Sequence, residues 1–417
     1  MSRGMTSVPR PTAVRGHFAT GRAKTVSRTV VVTGVVLTAL AVRVVMFDFQ
    51  SADYIVHLKR WYDYIYHHGG FSAIADGFGS HGFSDYNAPY LYLMAALTHL
   101  PIGALTGIKL ISVAFDLLLA FFSYRIVKLR HPDSWQPFVA GAVVLFLPTV
   151  AMNSALWGQS DSIYTAFALG GVYFLIRDRP WWACAFFGLA LAFKLQAVFI
   201  LPLLLVLALL KRLPWRTLTA VPAVYLALDM PALLLGASPE RLLTVYSRQT
   251  ETYQQLTLNA PSLYQWVTPG AYADVLRTSG ILLTGVVVIA LTAAIVVKRV
   301  EPTPLRIVLM ATTSAILLPF LLPSMHERYF YLADVLTVIA AFYLPRRLWS
   351  IPIAVQTSSF LAYLPFLGVS LVRGDVVPLE FKLLAALMAL ALAAVLWAAF
   401  AEFRKGDAVQ SARIRSA

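Results

Sequence analysis

The sequence predicts an all-α polytopic membrane protein of about twelve transmembrane helices, and three observations carry that expectation. Hydrophobic residues make up 59% of the 417 residues and charged ones only 13%, against roughly 25% charged in soluble globular chains. The apolar residues gather in blocks, many of them 16 to 22 residues long, close to the roughly 17–25 residues that a bilayer-crossing helix needs. The 34 Lys and Arg exceed the 20 Asp and Glu to give +14. Their placement in alternate connections marks orientation in a bilayer and not nucleic-acid binding.

In chain order, residues 1–28 carry Arg3, Arg10, Arg15, Arg22, Lys24 and Arg28 without an acid and read as a basic cytoplasmic tail. Val30–Phe47 is longer than the apolar core of a usual signal peptide and lacks a small-residue cleavage site, so it is expected to be a retained first helix. Residues 48–103 form a first large outer loop. Within it, Val56 to His67 mixes aromatic and charged residues, and Pro89 to Leu97 is apolar but too short to cross. Both suit interfacial helices.

Further spans are expected at 104–127, 137–152, 161–176, 181–193, 197–210 and 217–235, then at 279–297, 305–322, 329–344, 349–367 and 381–400. The segments 181–193 and 197–210 are short and meet at Phe193-Lys194-Leu195-Gln196, so broken or tilted helices are expected there. A second large outer loop covers 236–278, and residues 401–417 form a cytoplasmic tail. The whole of 29–400 is read as one membrane domain.

With the N-terminus inside, the inner segments collect 23 of the 34 basic residues and only five acids, Asp133, Asp178, Glu301, Glu402 and Asp407. The expectation is therefore a multi-pass plasma-membrane protein with both termini cytoplasmic. The single cysteine, Cys184, excludes an intrachain disulfide, a thiolate metal cluster and CxxC redox chemistry.

Polar residues collect at the outer ends of the expected helices. Asp48 and Asp53 follow the first helix, and Asp85 sits in Ser84-Asp85-Tyr86-Asn87-Ala88-Pro89. Asn153 to Asp161 reads NSALWGQSD, and Lys194 and Gln196 interrupt an apolar run. Asn259-Ala260-Pro261-Ser262-Leu263-Tyr264-Gln265-Trp266 closes the second outer loop, and His326-Glu327-Arg328-Tyr329 opens a helix. Polar groups at membrane depth are costly unless paired or facing a wet cavity, so their convergence on one face points to a site.

Each residue also has a plainer reading. Asp161 is a helix cap, Trp157 and Tyr329 belt aromatics, Lys194 a snorkelling cation, and Glu327 with Arg328 a local pair. Asp116 and Asp229, inside apolar spans, are expected to pair within the bundle. No metal-ligand spacing is present, HERYF lacks the second histidine of HExxH, and GxGxxG and Walker loops are missing. No cofactor is implied, and a divalent-metal requirement stays open.

In this order, the acidic loop around Asp53, the SDYNAP stretch, WGQSD, FKLQ, NAP and HERYF resemble the polytopic glycosyltransferases of the GT-C superfamily. The likeness is nearest to a bacterial mannosyltransferase-like branch related to the endoplasmic-reticulum enzymes that use lipid-linked sugars. The resemblance implies a GT-C-like bundle forming one catalytic domain, with a polyprenyl-phosphate monosaccharide as donor and a glycan, glycolipid or protein as acceptor. Transfer, of mannose in this branch, would invert the anomeric centre on the outer face. It implies an acid in the first outer loop as base. Asp85 matches the Asp of the relatives' Asp-Tyr-Pro-Pro, although Asn87-Ala88 stand where the prolines begin. Asp53 matches an earlier acid and competes for the role. Lys194, Gln196, His326 and Arg328 resemble donor-phosphate positions, with Trp157, Gln159, Asp161, Asn259, Tyr264 and Glu327 expected around sugar or acceptor. A lipid-linked-substrate transporter or flippase and a non-catalytic membrane assembly subunit are the competing readings.

Overall fold

The computed structural model describes residues 16–76, 86–268, 270, 272–344, 348–368 and 380–415, with side chains described between 28 and 405. Helix α1 (Gly16–Val44) leads into a π-helical turn (Tyr54–Leu58) continuous with α2 (Lys59–His67), followed by the short α3 (Ala73–Asp76) and α4 (Ala88–Leu97). Next come α5 (Ala104–Arg130), α6 (Gln136–Phe146) and α7 (Pro148–Ala151), the last running into a π-helical turn (Met152–Trp157). After these lie α8 (Asp161–Ile176), α9 (Pro180–Phe193), α10 (Leu201–Leu209) and α11 (Ala220–Leu234). The second long connection carries α12 (Pro239–Leu243), α13 (Val245–Thr252) and strand β1 (Thr257–Leu258). It is followed by α14 (Ala273–Val297), α15 (Pro304–Leu321), strand β2 (Met325–His326), α16 (Tyr331–Tyr343), α17 (Ser350–Tyr363) and α18 (Phe381–Arg415).

Local chemistry sets many of these boundaries. Proline opens α4, α6, α7, α9, α10, α12 and α15, where its missing N–H would have had no helical acceptor. The side chains of Ser238 and Thr303 cap α12 and α15 by accepting from the backbone N–H groups of Arg241 and Arg306. Between α9 and α10, Lys194 is extended and a 3₁₀ turn covers Leu195–Ile200. The chain breaks its helix where a charged residue interrupts the apolar run.

The expectation of about twelve spans is overturned. Among the described residues, five helices are long and apolar enough to cross a membrane: Ala104–Arg130, Trp215–Leu234, Ala273–Val297, Pro304–Leu321 and Phe381–Lys405. There are six if Gln136–Phe146 and Pro148–Trp157, bent by 52° at Leu147, count as one span. Several apolar runs form helices of only 10–17 residues, Asp161–Ile176, Pro180–Phe193, Leu195–Leu209 and Tyr331–Tyr343 among them. At about 1.5 Å per residue these reach about 15 to 25 Å, short of a hydrocarbon core of about 30 Å. Their apolarity serves a different end. α16 is buried along its whole length and α8 along nearly all of it, so hydropathy there reports protein core and not lipid contact. The protein is all-α in its bundle and crosses the membrane several times, with fewer long spans than its apolar content suggests.

The main core joins α5, α8, α9, α15 and α16, with Leu169, Phe187, Val308, Ile316, Leu332 and Ile339 fully buried. Helix α8 approaches α9 closely because Gly171 presents no side chain, and a Cβ there would lie 2.6 Å from the Phe187 ring. A smaller cluster packs α2, α3 and α4 through Leu58, Ile65, Ile74, Tyr90 and Met94. The two strands form a parallel ribbon, Thr257 opposite Met325 and Leu258 opposite His326. Asn259, at φ 61°, makes an antiparallel bridge to His326 just beyond it.

Candidate active site

Two buried cations fix the point where the first long connection leaves the bundle. Arg43 on α1 donates to Asp116 Oδ2 on α5 at 2.8 Å and to the Leu145 carbonyl at 2.9 Å. Lys109, from the start of α5, donates to the carbonyls of Met46, Phe47 and Phe49 at 3.0, 2.9 and 2.6 Å. These carbonyls lie just beyond α1, whose own last carbonyls Ala41, Arg43 and Val44 accept from the N–H groups of Val45, Met46 and Phe47, so this single ammonium gathers the segment that leaves the helix. The Asp116 and Lys109 contacts place Ser51 and Asp53 beside the turn after α7, where Ser51 Oγ donates to the Trp157 carbonyl at 2.8 Å.

That turn supplies the partners of Asp53. Gly158 takes φ +79°, a left-handed geometry that a side chain rarely adopts. Beyond it, Gln159 N–H returns to the Asn153 carbonyl at 2.9 Å. Trp157 Nε1 and Gln159 Nε2 both donate to Asp53 Oδ2, at 3.1 and 2.6 Å. Gln159 in turn accepts from the Tyr86 hydroxyl at 3.2 Å. One oxygen of Asp53 is thus fixed, and no hydrogen bond or ion pair to Oδ1 is found among the described residues.

Arg328 lies at the centre of the charged groups. Its Nη1 donates to Glu327 Oε1 at 2.8 Å and stands 3.8 Å from Asp53 Oδ2, while its Nε stands 3.8 Å from Asp161 Oδ2. The guanidinium sits 5.5 Å from the Trp157 ring centre. Asp161 is fully buried and takes Lys194 Nζ on Oδ1 at 2.6 Å and Asn153 Nδ2 on Oδ2 at 2.9 Å. Lys194 lies 5.7 Å from the centre of the Tyr86 ring. Burial works against the charge on Arg328, but the carboxylates of Glu327, Asp53 and Asp161 outweigh it and hold the proton more firmly than usual. Burial also lowers the pKa of His326, against the pull of Glu327, so the imidazole is neutral near pH 7. Its Nε2 is buried, with no hydrogen-bond partner among the described residues.

Asp53, Trp157, Gln159, Lys194, His326, Glu327 and Arg328 line one cavity of about 120 Å³. Asp161 lies beneath it in the ion-pair network. Asn259 is beside it, through its backbone bridge to His326. Gln196 is buried in the 3₁₀ turn after Lys194 and does not line the cavity. Tyr264 donates to the Leu321 carbonyl at 2.9 Å and packs its hydroxyl over Gly280, also away from the cavity. Asp85 lies outside the described residues. Among the described residues, no group of three or more His, Cys, Asp or Glu comes together as a metal site.

The cavity wall also includes residues that sequence reasoning did not single out. His57 and Trp61 stand four apart on the aromatic segment, with ring centres 5.9 Å apart, and Trp61 meets Tyr86 edge-on at 5.6 Å. Their i, i+4 spacing on a helical stretch was a usable signal. Tyr246, Gln249 and Tyr253 come from α13 and the residue after it, and Tyr253 stands edge-on to His326 at 4.7 Å. Nothing in their local sequence announces this. They reach the cavity because the β1–β2 ribbon draws the second long connection onto the turn that holds His326.

The arrangement sets a carboxylate with one uncommitted oxygen against a buried guanidinium and a neutral imidazole, in a pocket with aromatic walls. A proton acceptor and anion-facing donors within one cavity are what group transfer between a hydroxyl and a phosphate-linked sugar demands. No curated protein matches the sequence. The family model of glycosyltransferase family 87 matches residues 83–324, more than half the chain, including Trp157, Gln159, Asp161 and Lys194. This multi-pass membrane enzyme belongs to glycosyltransferase family 87.

Proposed function

We propose that the enzyme transfers a hexose, mannose first among candidates, from a polyprenyl-phosphate donor to a glycan, glycolipid or protein acceptor by inverting displacement on the outer face of the plasma membrane. The observation that carries the reading is the shared cavity of Asp53 and Arg328. Two acids compete as base, Asp53 and Asp85. Asp53 is favoured because Trp157 and Gln159 hold its Oδ2 while Oδ1 stays uncommitted. In the proposed step the acceptor hydroxyl gives its proton to this carboxylate as its oxygen attacks the anomeric carbon. The bond from that carbon to the phosphate oxygen breaks, and the lipid phosphate leaves with the electron pair. Arg328, with His326 and Lys194 on the same wall, faces the charge that grows on the leaving oxygen.

The phosphate role of Arg328 rests on its place in the cavity wall and not on the net charge around it. Asp53, Asp161 and Glu327 outnumber Lys194 and Arg328, with His326 neutral. That leaves an excess of one negative charge, against which an anionic donor is held by direct contact with Arg328 and Lys194. On α5 the basic end lies away from the cavity: Arg125, Lys128 and Arg130 close the helix, whose other end holds Lys109. This supports both termini on the cytoplasmic side and the cavity outside.

The test is transfer from labelled polyprenyl-phosphate-mannose to membrane acceptors by purified wild type, D53N and D85N. The expected result is loss of transfer in D53N with the fold retained and transfer kept in D85N. Loss in D85N with activity kept in D53N moves the base to Asp85. Activity in both variants, singly and combined, refutes the carboxylate-base reading, and transfer from a different labelled lipid-linked sugar replaces mannose.

A further inference from the structure

A second cavity, of about 630 Å³, opens at the end of the bundle opposite the active site. It is a wedge between α1 and the α5–α6 pair. Helix α1 is clamped near its C-terminus by the Arg43–Asp116 pair and by the packing of Ala39 with Ala120 and Leu145. Toward its N-terminus, Val31 and Val35 instead face the cavity, across from Leu117, Phe121 and Tyr124 of α5 and Trp135 before α6. Val31, Phe121 and Trp135 are exposed.

The mouth of this wedge is cationic. Arg28 sits over the Trp135 ring at 5.2 Å, and Lys128 donates to the Tyr124 hydroxyl at 3.0 Å. Arg125, 5.5 Å from the Phe121 ring centre, is turned instead to Tyr173 of α8, lying 4.9 Å from that ring and donating to its hydroxyl. Two aromatic rings of the wall, Trp135 and Tyr124, are therefore each matched with a cation at the rim. Along α5, the wall from Leu117 to Tyr124 is about 10 Å long at 1.5 Å per residue, against roughly 15 Å for one leaflet's half of a 30 Å hydrocarbon core. Lys109, at the active-site end of the same helix, is about 28 Å from Lys128 by the same rise. Leu117, the near end of the wall, is about 12 Å from Lys109 by that rise, so it is the cationic rim that stands far from the chemistry.

We propose that this wedge is a binding site for an anionic glycerophospholipid of the opposite leaflet. Its acyl chain fills the apolar cleft and its headgroup phosphate is held by Arg28 and Lys128. An apolar slot of leaflet depth suits an acyl chain, and a basic rim at the headgroup level selects negative charge. The lipid completes the packing of α1, whose far end carries the connection to Asp53, and so acts as a structural ligand remote from the chemistry.

The test uses the full-length enzyme in phosphatidylcholine nanodiscs containing a minor fraction of labelled phosphatidylglycerol, released into the gas phase for native mass spectrometry. Wild type is expected to retain phosphatidylglycerol in preference to phosphatidylcholine. R28Q/K128Q should bind it about 25-fold more weakly, at about five-fold per cation removed. A142F, which places a ring on the α6 wall of the cleft, should exclude the lipid by filling the space while the rim is intact. Equal retention of the two lipids, undiminished phosphatidylglycerol binding in R28Q/K128Q, or a lipid-free dimer burying this face would each overturn the proposal.

Discussion

Replacing Asp161 and Lys194 one at a time should give unequal losses of stability, and the inequality follows from geometry. Lys194 Nζ lies 2.6 Å from Asp161 Oδ1, and both side chains are buried. Removing one member of a buried ion pair costs about 3–5 kcal/mol, since a charge is left behind in a poor solvent. The charge left behind differs between the two variants. In K194M, Asp161 keeps the Asn153 amide at 2.9 Å and Arg328 Nε at 3.8 Å. At an effective dielectric constant near 20, the gross attraction is about 6 kcal/mol at 2.6 Å and about 4 kcal/mol at 3.8 Å. About two-fifths of that gross attraction therefore survives for Asp161, together with the Asn153 hydrogen bond. In D161A, Lys194 loses its one carboxylate partner among the described residues and keeps the Tyr86 ring at 5.7 Å. D161A should fall near 5 kcal/mol and K194M near 3 kcal/mol or below. The double variant D161L/K194M, with no charge stranded, should recover part of the loss. Reversible unfolding in mixed detergent micelles, followed by tryptophan fluorescence, measures all three. A K194M loss equal to or greater than that of D161A would refute the shared role of Arg328.

Q159L should leave the fold intact but lower kcat about 10- to 100-fold with little change in KM. It removes the 2.6 Å donor to Asp53 Oδ2, and a hydrogen bond to a charged group is worth about 1.5–3 kcal/mol. Unchanged steady-state turnover would dissociate Asp53 from catalysis. Because burial lowers the pKa of His326 in the folded state, the unfolded chain binds its proton first. Stability should be complete above the unfolded value near 6.5 and decline as pH falls through it toward the folded value. H326Q should flatten that part of the pH–stability curve, and an unaltered curve would show that another group titrates there. G171L should be damaging, since even a Cβ meets the fully buried Phe187 ring at 2.6 Å. A loss of at least about 1–3 kcal/mol is expected, read as a lower melting temperature in detergent, and a wild-type value would mean that α8 and α9 can move apart.

Much of the site is readable from the sequence because its charged groups are rare and strung along the chain in short polar words. WGQSD, FKLQ and HERYF bring Gln159, Asp161, Lys194, His326 and Arg328 to one place, and the cost of polar groups at membrane depth is the reason they stand out. The number of spans is not readable in the same way. Leu, Ile and Val face lipid on α14 and face protein on α16, and a hydropathy sum gives both the same sign. Asp116 does pair within the bundle, with Arg43, a contact legible as two charges in apolar runs. The α13 wall of the cavity, with Tyr246, Gln249 and Tyr253, could not be read from local pattern. It depends on pairing two-residue strands separated by two long helices, and no periodicity encodes that. Tyr264 looked like part of a polar cluster, yet its hydroxyl is used to satisfy a helix-end carbonyl.

The parallel ribbon sets the order in which the enzyme becomes competent during its synthesis. Thr257 and Leu258 find their partners in Met325 and His326 only after α14 and α15 have been made. At about 5–20 residues per second of translation, that delay is several seconds. Through that interval Asp53, Gln159, Asp161 and Lys194 already exist in the nascent chain, but the imidazole and guanidinium that finish the cavity do not. The newborn protein passes through its membrane insertion catalytically silent. Helices α14 and α15 act as a timer, and the cavity is not complete before the four-residue clasp closes.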